Sequence, residues 1–251
     1  MATINELLKL TQDYLHELPA PPPPLAMPGP GELAGWIDHT LLRPEATAEQ
    51  IKKLCDEARE HHFVTVCVNP VYVQLASGLL RGSTVGVCAV TAFPLGANLP
   101  AYKVQETLGV IDMGATEVDM VINIGAMKGE AYGLVLHDIQ SVVEAAHRHN
   151  VKVKVILEMA YLTRAEKILG CLLCKEAGAD FVKTSTGFGP SGATVEDVDL
   201  MRRVVGADMG VKAAGGIRTL ADARAMIQAG ADRLGASAGV SILKEALQTG
   251  G

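Results

Sequence analysis

A (β/α)8 TIM barrel with a short N-terminal helical extension is the fold class that three observations predict. Short β-branched runs alternate with amphipathic helical patterns along most of the chain, and strand starts recur about every 28 residues, the length of one βα unit. The strand runs are apolar on both faces, as strands covered on both sides must be. The chain has 251 residues, and barrels of this kind commonly reach about 250. An open doubly wound sheet is the alternative, but about eight such units favour closure.

The first element is a helix from about Ile4 to Leu18, predicted because Ile4, Leu7, Leu8, Leu15 and Leu18 fall at helical spacing. Residues 19–31 read PAPPPPLAMPGPG. Proline has no amide hydrogen for a helix and favours extended geometry, so this run predicts a semi-rigid linker. Residues 1–31 therefore stand apart from a barrel domain of residues 32–251. Within it, strands are expected at Trp36–His39, Val64–Val68, Val85–Ala92, Glu117–Asn123, Lys152–Glu158, Asp180–Thr184, Gly210–Ala214 and Arg233–Ala236. Helical patterns such as TAEQIKKLCDEAREHH and TRAEKILGCLLCKEAGA lie between them. Gly114-Ala115, Gly178-Ala179 and Gly230-Ala231 each end a helix, where glycine takes the left-handed conformation cheaply. The barrel needs no extra helix, so the extension is expected to cover its N-terminal face or a partner subunit, away from substrate.

Composition narrows the function. A formal net charge of -6 lacks the basic footprint that nucleic acid demands, which leaves small metabolites. The cysteines, Cys55, Cys67, Cys88, Cys171 and Cys174, form no small-scaffold pattern and point to reduced thiols in a cytoplasmic protein. Cys171 and Cys174 spell C-x-x-C inside a helical stretch and are expected to be structural. The long uncharged run from Gly82 is broken by prolines and glycines, so no membrane span is expected.

Chemistry in a barrel belongs at the C-terminal strand ends. The sixth strand ends FVKTSTGFG and the seventh reads VKAAGG, so Lys183 and Lys212 sit inside consecutive apolar strands. Paired amines of this kind repel when both are charged, which lowers one pKa and favours a nucleophile. One strand lysine is more simply a snorkelling or ion-paired side chain; two in succession are not. Asp119, in EVDMVINIGA, adds an acid/base carboxylate. Gly187, Gly189 and Gly192 spell G-x-G-x-x-G, but late in the chain and without the acidic residue that binds ribose, against a dinucleotide site. Together with Gly215, Gly216 and Gly235 they suggest a backbone phosphate site in the last turns. Tight-turn glycines alone would be the plainer explanation.

The segments IDHTLL, VCVNP, FPLGA, EVDMVINIGA, ILEM, FVKTSTGFG, VKAAGGIRT and RLGASAG resemble the deoxyribose-phosphate aldolases in order and spacing, from about Trp36 to Leu243. The resemblance implies reversible cleavage of 2-deoxy-D-ribose 5-phosphate to D-glyceraldehyde 3-phosphate and acetaldehyde, in deoxynucleoside breakdown. It implies Lys183 as the Schiff-base lysine, Lys212 as its perturbing neighbour and Asp119 as the acid/base carboxylate. Gly187, Gly215, Gly216, Gly235 and Ser237 match the phosphate turns, and Asp38, Thr40 and Cys67 match pocket-lining positions. No cofactor or metal is expected, because an iminium replaces the Lewis acid. A homo-oligomer, dimer or tetramer, is expected as well, although the residues themselves do not fix it. Phe188 and Ala238 depart from members that carry lysine and serine there, a change expected to weaken phosphate affinity unless backbone donors compensate. Another imine-forming barrel, transaldolase- or dehydratase-like, and a non-catalytic phosphometabolite-binding barrel are the competing functions.

Overall fold

In the computed structural model, residues 2–249 are described, and the predicted alternation closes into a parallel barrel in sequence order, β1 beside β8. The strands are β1 (Ile37–Leu41), β2 (Thr65–Val68), β3 (Gly86–Thr91), β4 (Glu117–Val121), β5 (Lys152–Ile156), β6 (Phe181–Lys183), β7 (Gly210–Ala214) and β8 (Arg233–Ala236). The helices are α1 (Ile4–His16), α2 (Ala48–His61), α3 (Val73–Leu80), α4 (Pro100–Asp112), α5 (Ile124–Lys128), α6 (Tyr132–His147), α7 (Arg164–Glu176), α8 (Val195–Val205), α9 (Leu220–Gln228) and α10 (Gly239–Thr249). Thr47, Thr163 and Thr219 close capping boxes at the starts of α2, α7 and α9. Each satisfies two amides that the first helical turn leaves without partners. Gly114, Gly178 and Gly230 adopt φ of 103°, 75° and 111°, as their place before a returning strand requires.

The main hydrophobic core lies between strands and helices, built from outward-facing residues such as Val66, Val87, Val118, Val153, Val182 and Val211. Inside the barrel the packing is different. Barrel interiors are ordinarily filled by branched apolar side chains. Here Leu42, Cys67, Cys88 and Val90 form a small apolar cluster, while β1 and β4–β8 contribute buried charges. The structural expectation for Cys171 and Cys174 agrees with their complete burial in α7, where loss of solvent pushes both thiols well up.

The helix and the linker of the extension take different places. Helix α1 lies against α7 in the outer ring, with Leu7 buried and Ile4, Leu8, Leu15 and Leu18 packed on the main core. Arg203 on α8 donates to the carbonyls of Pro19 at 2.8 Å and Leu18 at 3.1 Å, pinning the helix exit. The following prolines run along the N-terminal rim, where Pro21–Leu25 cover a cavity of about 290 Å³ beside Arg202, Gly230 and Asp232. The helix thus buries its apolar stripe on the flank of α7, and the linker borders the rim.

Candidate active site

A cavity of about 770 Å³ opens at the C-terminal ends of the strands, lined by Thr40, Lys183, Thr186, Gly187, Phe188, Gly215, Gly216, Gly235 and Ser237 among others. Its floor is Lys183, the last residue of β6. Register places Lys183 opposite Lys212 on β7, and both amines lie 2.7 Å from the same oxygen, Oδ2 of Asp119. The other oxygen, Oδ1, accepts from Lys154 of β5 at 2.8 Å.

Beneath this layer a second set of charges completes the cluster. Lys154 also lies 2.6 Å from Glu117. Asp38 pairs with Lys212 and accepts from Arg233 at 2.7 Å, and Arg233 reaches Glu117 at 2.9 Å. When all seven groups are ionised, Lys154, Lys183, Lys212 and Arg233 outnumber Asp38, Glu117 and Asp119 by one charge. Buried charges survive only when paired in this way.

The electrostatics correct one expectation. Repulsion between Lys183 and Lys212 was expected to dominate, yet Asp119 stands between their amines. Burial works against the Lys212 charge, but Asp119 and Asp38 outweigh it and hold its pKa above the usual lysine range. Lys154 is held up likewise, by Asp119 first. Burial opposes the Asp119 carboxylate too, but Lys154, Lys183 and Lys212 keep it well below its usual range.

Thr40 and the glycine turns line the cavity as expected, whereas Asp38 and Cys67 do not. Asp38 is a wholly buried anchor under Lys212. Cys67 is sealed against Cys88, its register partner. A bond from Cys88 lowers the Cys67 thiol, while burial pushes Cys88 up. These two sulfurs and an Asp119 oxygen lie within 4.8 Å of one another, but Asp119 is already committed to three amines. Phe188 stands half-exposed at the mouth with its ring edge-on to Phe93, centroids 5.4 Å apart.

Sequence reasoning did not single out Lys154, Glu117 as an ion-pair partner, Arg233 or His39. His39 lines the cavity, stacks on Phe63 at 4.6 Å and meets Glu57 at 2.8 Å. Burial pushes its imidazole below the usual range despite Glu57. A signal did exist for Lys154: KVKVI alternates, and period two aims Lys154 inward between Val153 and Val155.

Comparison with known proteins agrees with this geometry. The family model described as DeoC/LacD family aldolase matches residues 33–249. A protein of Caldanaerobacter subterraneus named deoxyribose-phosphate aldolase is 58% identical over 214 residues, 85% of this chain and 93% of that one. Among solved structures, one from Coccidioides immitis, provisionally assigned as a deoxyribose-phosphate aldolase, superposes with TM-score 0.90 at 43% identity, covering 97% of this chain and 98% of that one. The tetrameric deoxyribose phosphate aldolase of Aeropyrum pernix gives 0.80 at 33% identity, covering 97% of each. Barrel, lysine cluster and likeness converge: this chain belongs to the DeoC/LacD family of aldolases.

Proposed function

We propose that this chain cleaves 2-deoxy-D-ribose 5-phosphate reversibly to D-glyceraldehyde 3-phosphate and acetaldehyde through a Schiff base on Lys183. The observation that carries the proposal is Asp119 Oδ2, bridging Lys183 and Lys212 at 2.7 Å each on the cavity floor. Among the described residues Lys183 pairs with Asp119 alone and opens on the cavity, whereas Lys154 and Lys212 are tied to further carboxylates below it. Lys183 is therefore the amine free to react. Attack requires that amine to release a proton, and the release leaves the seven buried groups with balanced charge.

The amine adds to the aldehyde carbon C1 and water departs, giving an iminium. Electrons of the C2–C3 bond then flow into the iminium to form an enamine, as the C3 hydroxyl loses its proton and becomes the aldehyde of the three-carbon product. The enamine is reprotonated at C2 and hydrolysed to acetaldehyde. Asp119 and Lys212 exchange the protons, reached through water. The phosphoryl group is held by the turns at Gly187, Gly215–Gly216 and Gly235–Ser237, whose backbone amides supply donors without a basic cluster. Deoxynucleoside breakdown in the cytoplasm is the setting that supplies this substrate, and a dimer or tetramer is the assembly proposed, on the likeness to the Aeropyrum protein.

Borohydride reduction in the presence of substrate tests the proposal. Mass mapping is expected to find the adduct on Lys183, and Lys183→Ala is expected to abolish turnover. Near-normal turnover in that variant would overturn the assignment.

A further inference from the structure

Glu158 follows β5 in a backbone conformation that a non-glycine residue seldom adopts, φ 54° and ψ 63°. Its side chain is buried, and no lysine, arginine or histidine pairs with it among the described residues. Both features are unfavourable by themselves. The contacts show what they achieve.

Oε2 of Glu158 accepts the Thr186 N–H at 3.2 Å and, in a short contact, the Thr186 hydroxyl. With its proton committed there, the Thr186 hydroxyl oxygen accepts the Phe188 N–H at 3.0 Å. The two amides that flank Gly187 are thus drawn back toward Glu158. Gly187 itself, at φ 87°, keeps an N–H with no protein partner among the described residues. The turn is also pressed on the carboxylate: a Cβ at Gly189 would lie 3.0 Å from Glu158 Oε1. Two backbone bonds fix the same junction, Leu157 N–H to Lys183 at 3.0 Å and Met159 N–H to Thr184 at 3.0 Å.

We propose that Glu158 is a positioning residue for the phosphoryl group. It holds the Thr186–Gly189 turn so that the Gly187 amide is turned toward the cavity as an anion donor. Glu158 does not line the cavity, so it acts through Thr186 and touches no substrate. Its carboxylate lies behind the turn: Oε2 takes both Thr186 donors, while Oε1 is buried with no hydrogen-bond partner among the described residues. The inference rests on the phosphorylated-sugar reading above and assigns a selectivity role within it.

The test compares 2-deoxyribose 5-phosphate with free 2-deoxyribose in Glu158→Ala, Glu158→Gln and Thr186→Val. Glu158→Ala and Thr186→Val are expected to reduce the preference for the phosphorylated sugar at least tenfold, through KM more than kcat. Inorganic phosphate, used as an inhibitor of free-deoxyribose cleavage, is expected to weaken by a similar factor. Glu158→Gln keeps a carbonyl acceptor for Thr186 and is expected to stay within threefold of the parent. Parallel losses on both sugars, an unchanged preference, or a Gln variant as impaired as the Ala variant would each overturn the proposal. If Glu158→Ala does not fold, Thr186→Val carries the comparison, because it removes the hydroxyl bonds and keeps the carboxylate. Borohydride trapping of acetaldehyde on the unsubstituted chain is the control: its failure would overturn the aldolase reading. Calorimetric titration of inorganic phosphate, which needs no turnover, would then decide the role of Glu158, an affinity unchanged in Glu158→Ala and Thr186→Val overturning it.

Discussion

Lys183 and Lys212 are register partners on neighbouring strands, and their amines close on one oxygen of Asp119. The carboxylate turns a repulsive pair into a bridge, with the Lys183 amine on the cavity side and that of Lys212 sealed below. The two amines share that single atom as acceptor.

That arrangement makes Asp119 costly to remove. Asp119→Asn leaves three buried amines without their shared anion, and breaking such a set typically costs about 3–5 kcal/mol. For a chain of this size, 1 kcal/mol moves Tm by about 2–4 °C, so calorimetry is expected to show a drop of roughly 6–20 °C. Turnover is expected to fall at least 100-fold, in the range assigned to general acid–base groups. A variant with parental Tm and turnover would show that the bridge matters to neither.

Chelation is expected to leave activity unchanged, because the iminium serves as the electron sink. The measurement is turnover before and after dialysis against EDTA. Loss of activity that added zinc restores would sink the imine mechanism.

Phosphate selectivity is expected to persist although Phe188 and Ala238 offer no polar side chain. Charge-assisted hydrogen bonds contribute about 1.5–3 kcal/mol each, so the phosphorylated sugar should be preferred at least roughly tenfold in kcat/KM. Equal efficiency on both sugars would show that the glycine turns bind no phosphate.

His39 predicts a pH dependence of stability. Its folded pKa lies below the unfolded value of about 6.5, so below that pH the unfolded chain takes up a proton that the folded chain refuses. Stability is therefore lost as pH falls below about 6.5, by at most about 1.4 kcal/mol per pH unit from this group. Denaturant titrations at pH 7.5, 6.5 and 5.5 should show the decline, and His39→Gln should flatten it. An identical slope in the variant would assign the effect elsewhere.

Deleting residues 1–30 removes Leu7, uncovers the α7 face that α1 packs against, and frees Arg203 from two carbonyls. Tm is expected to fall or the oligomer to change, with KM within roughly threefold, under about 0.7 kcal/mol of binding. A folded deletion variant unable to form the imine would place the extension in the site.

The parts of this molecule written in local pattern were legible: strand alternation, helix-ending glycines, and two lysines one βα unit apart. Depth was not. Asp38 and Thr40 stand two residues apart on one face of β1, yet Thr40 meets the cavity and Asp38 lies a layer down among charges. That difference comes from strand tilt and stagger around the closed barrel, which no single strand encodes. Arg233 escaped notice for the same reason. Its carboxylate partners come from β1 and β4, and their identity depends on closure. The flank position of α1 depends on which helix leaves an uncovered apolar stripe, a property of the assembled ring.

Closure also sets when this site comes into being. Asp38 waits 195 residues for Arg233, which at ribosomal rates of 5–20 residues per second is about 10–40 s of synthesis. Until β8 arrives, Asp38 and Glu117 lack their guanidinium, and the first strand has no neighbour on its open edge. A nascent chain that already carries Lys183, Lys212 and Asp119 therefore still lacks part of the charge network beneath them. The buried charge network is complete only when the last strand meets the first.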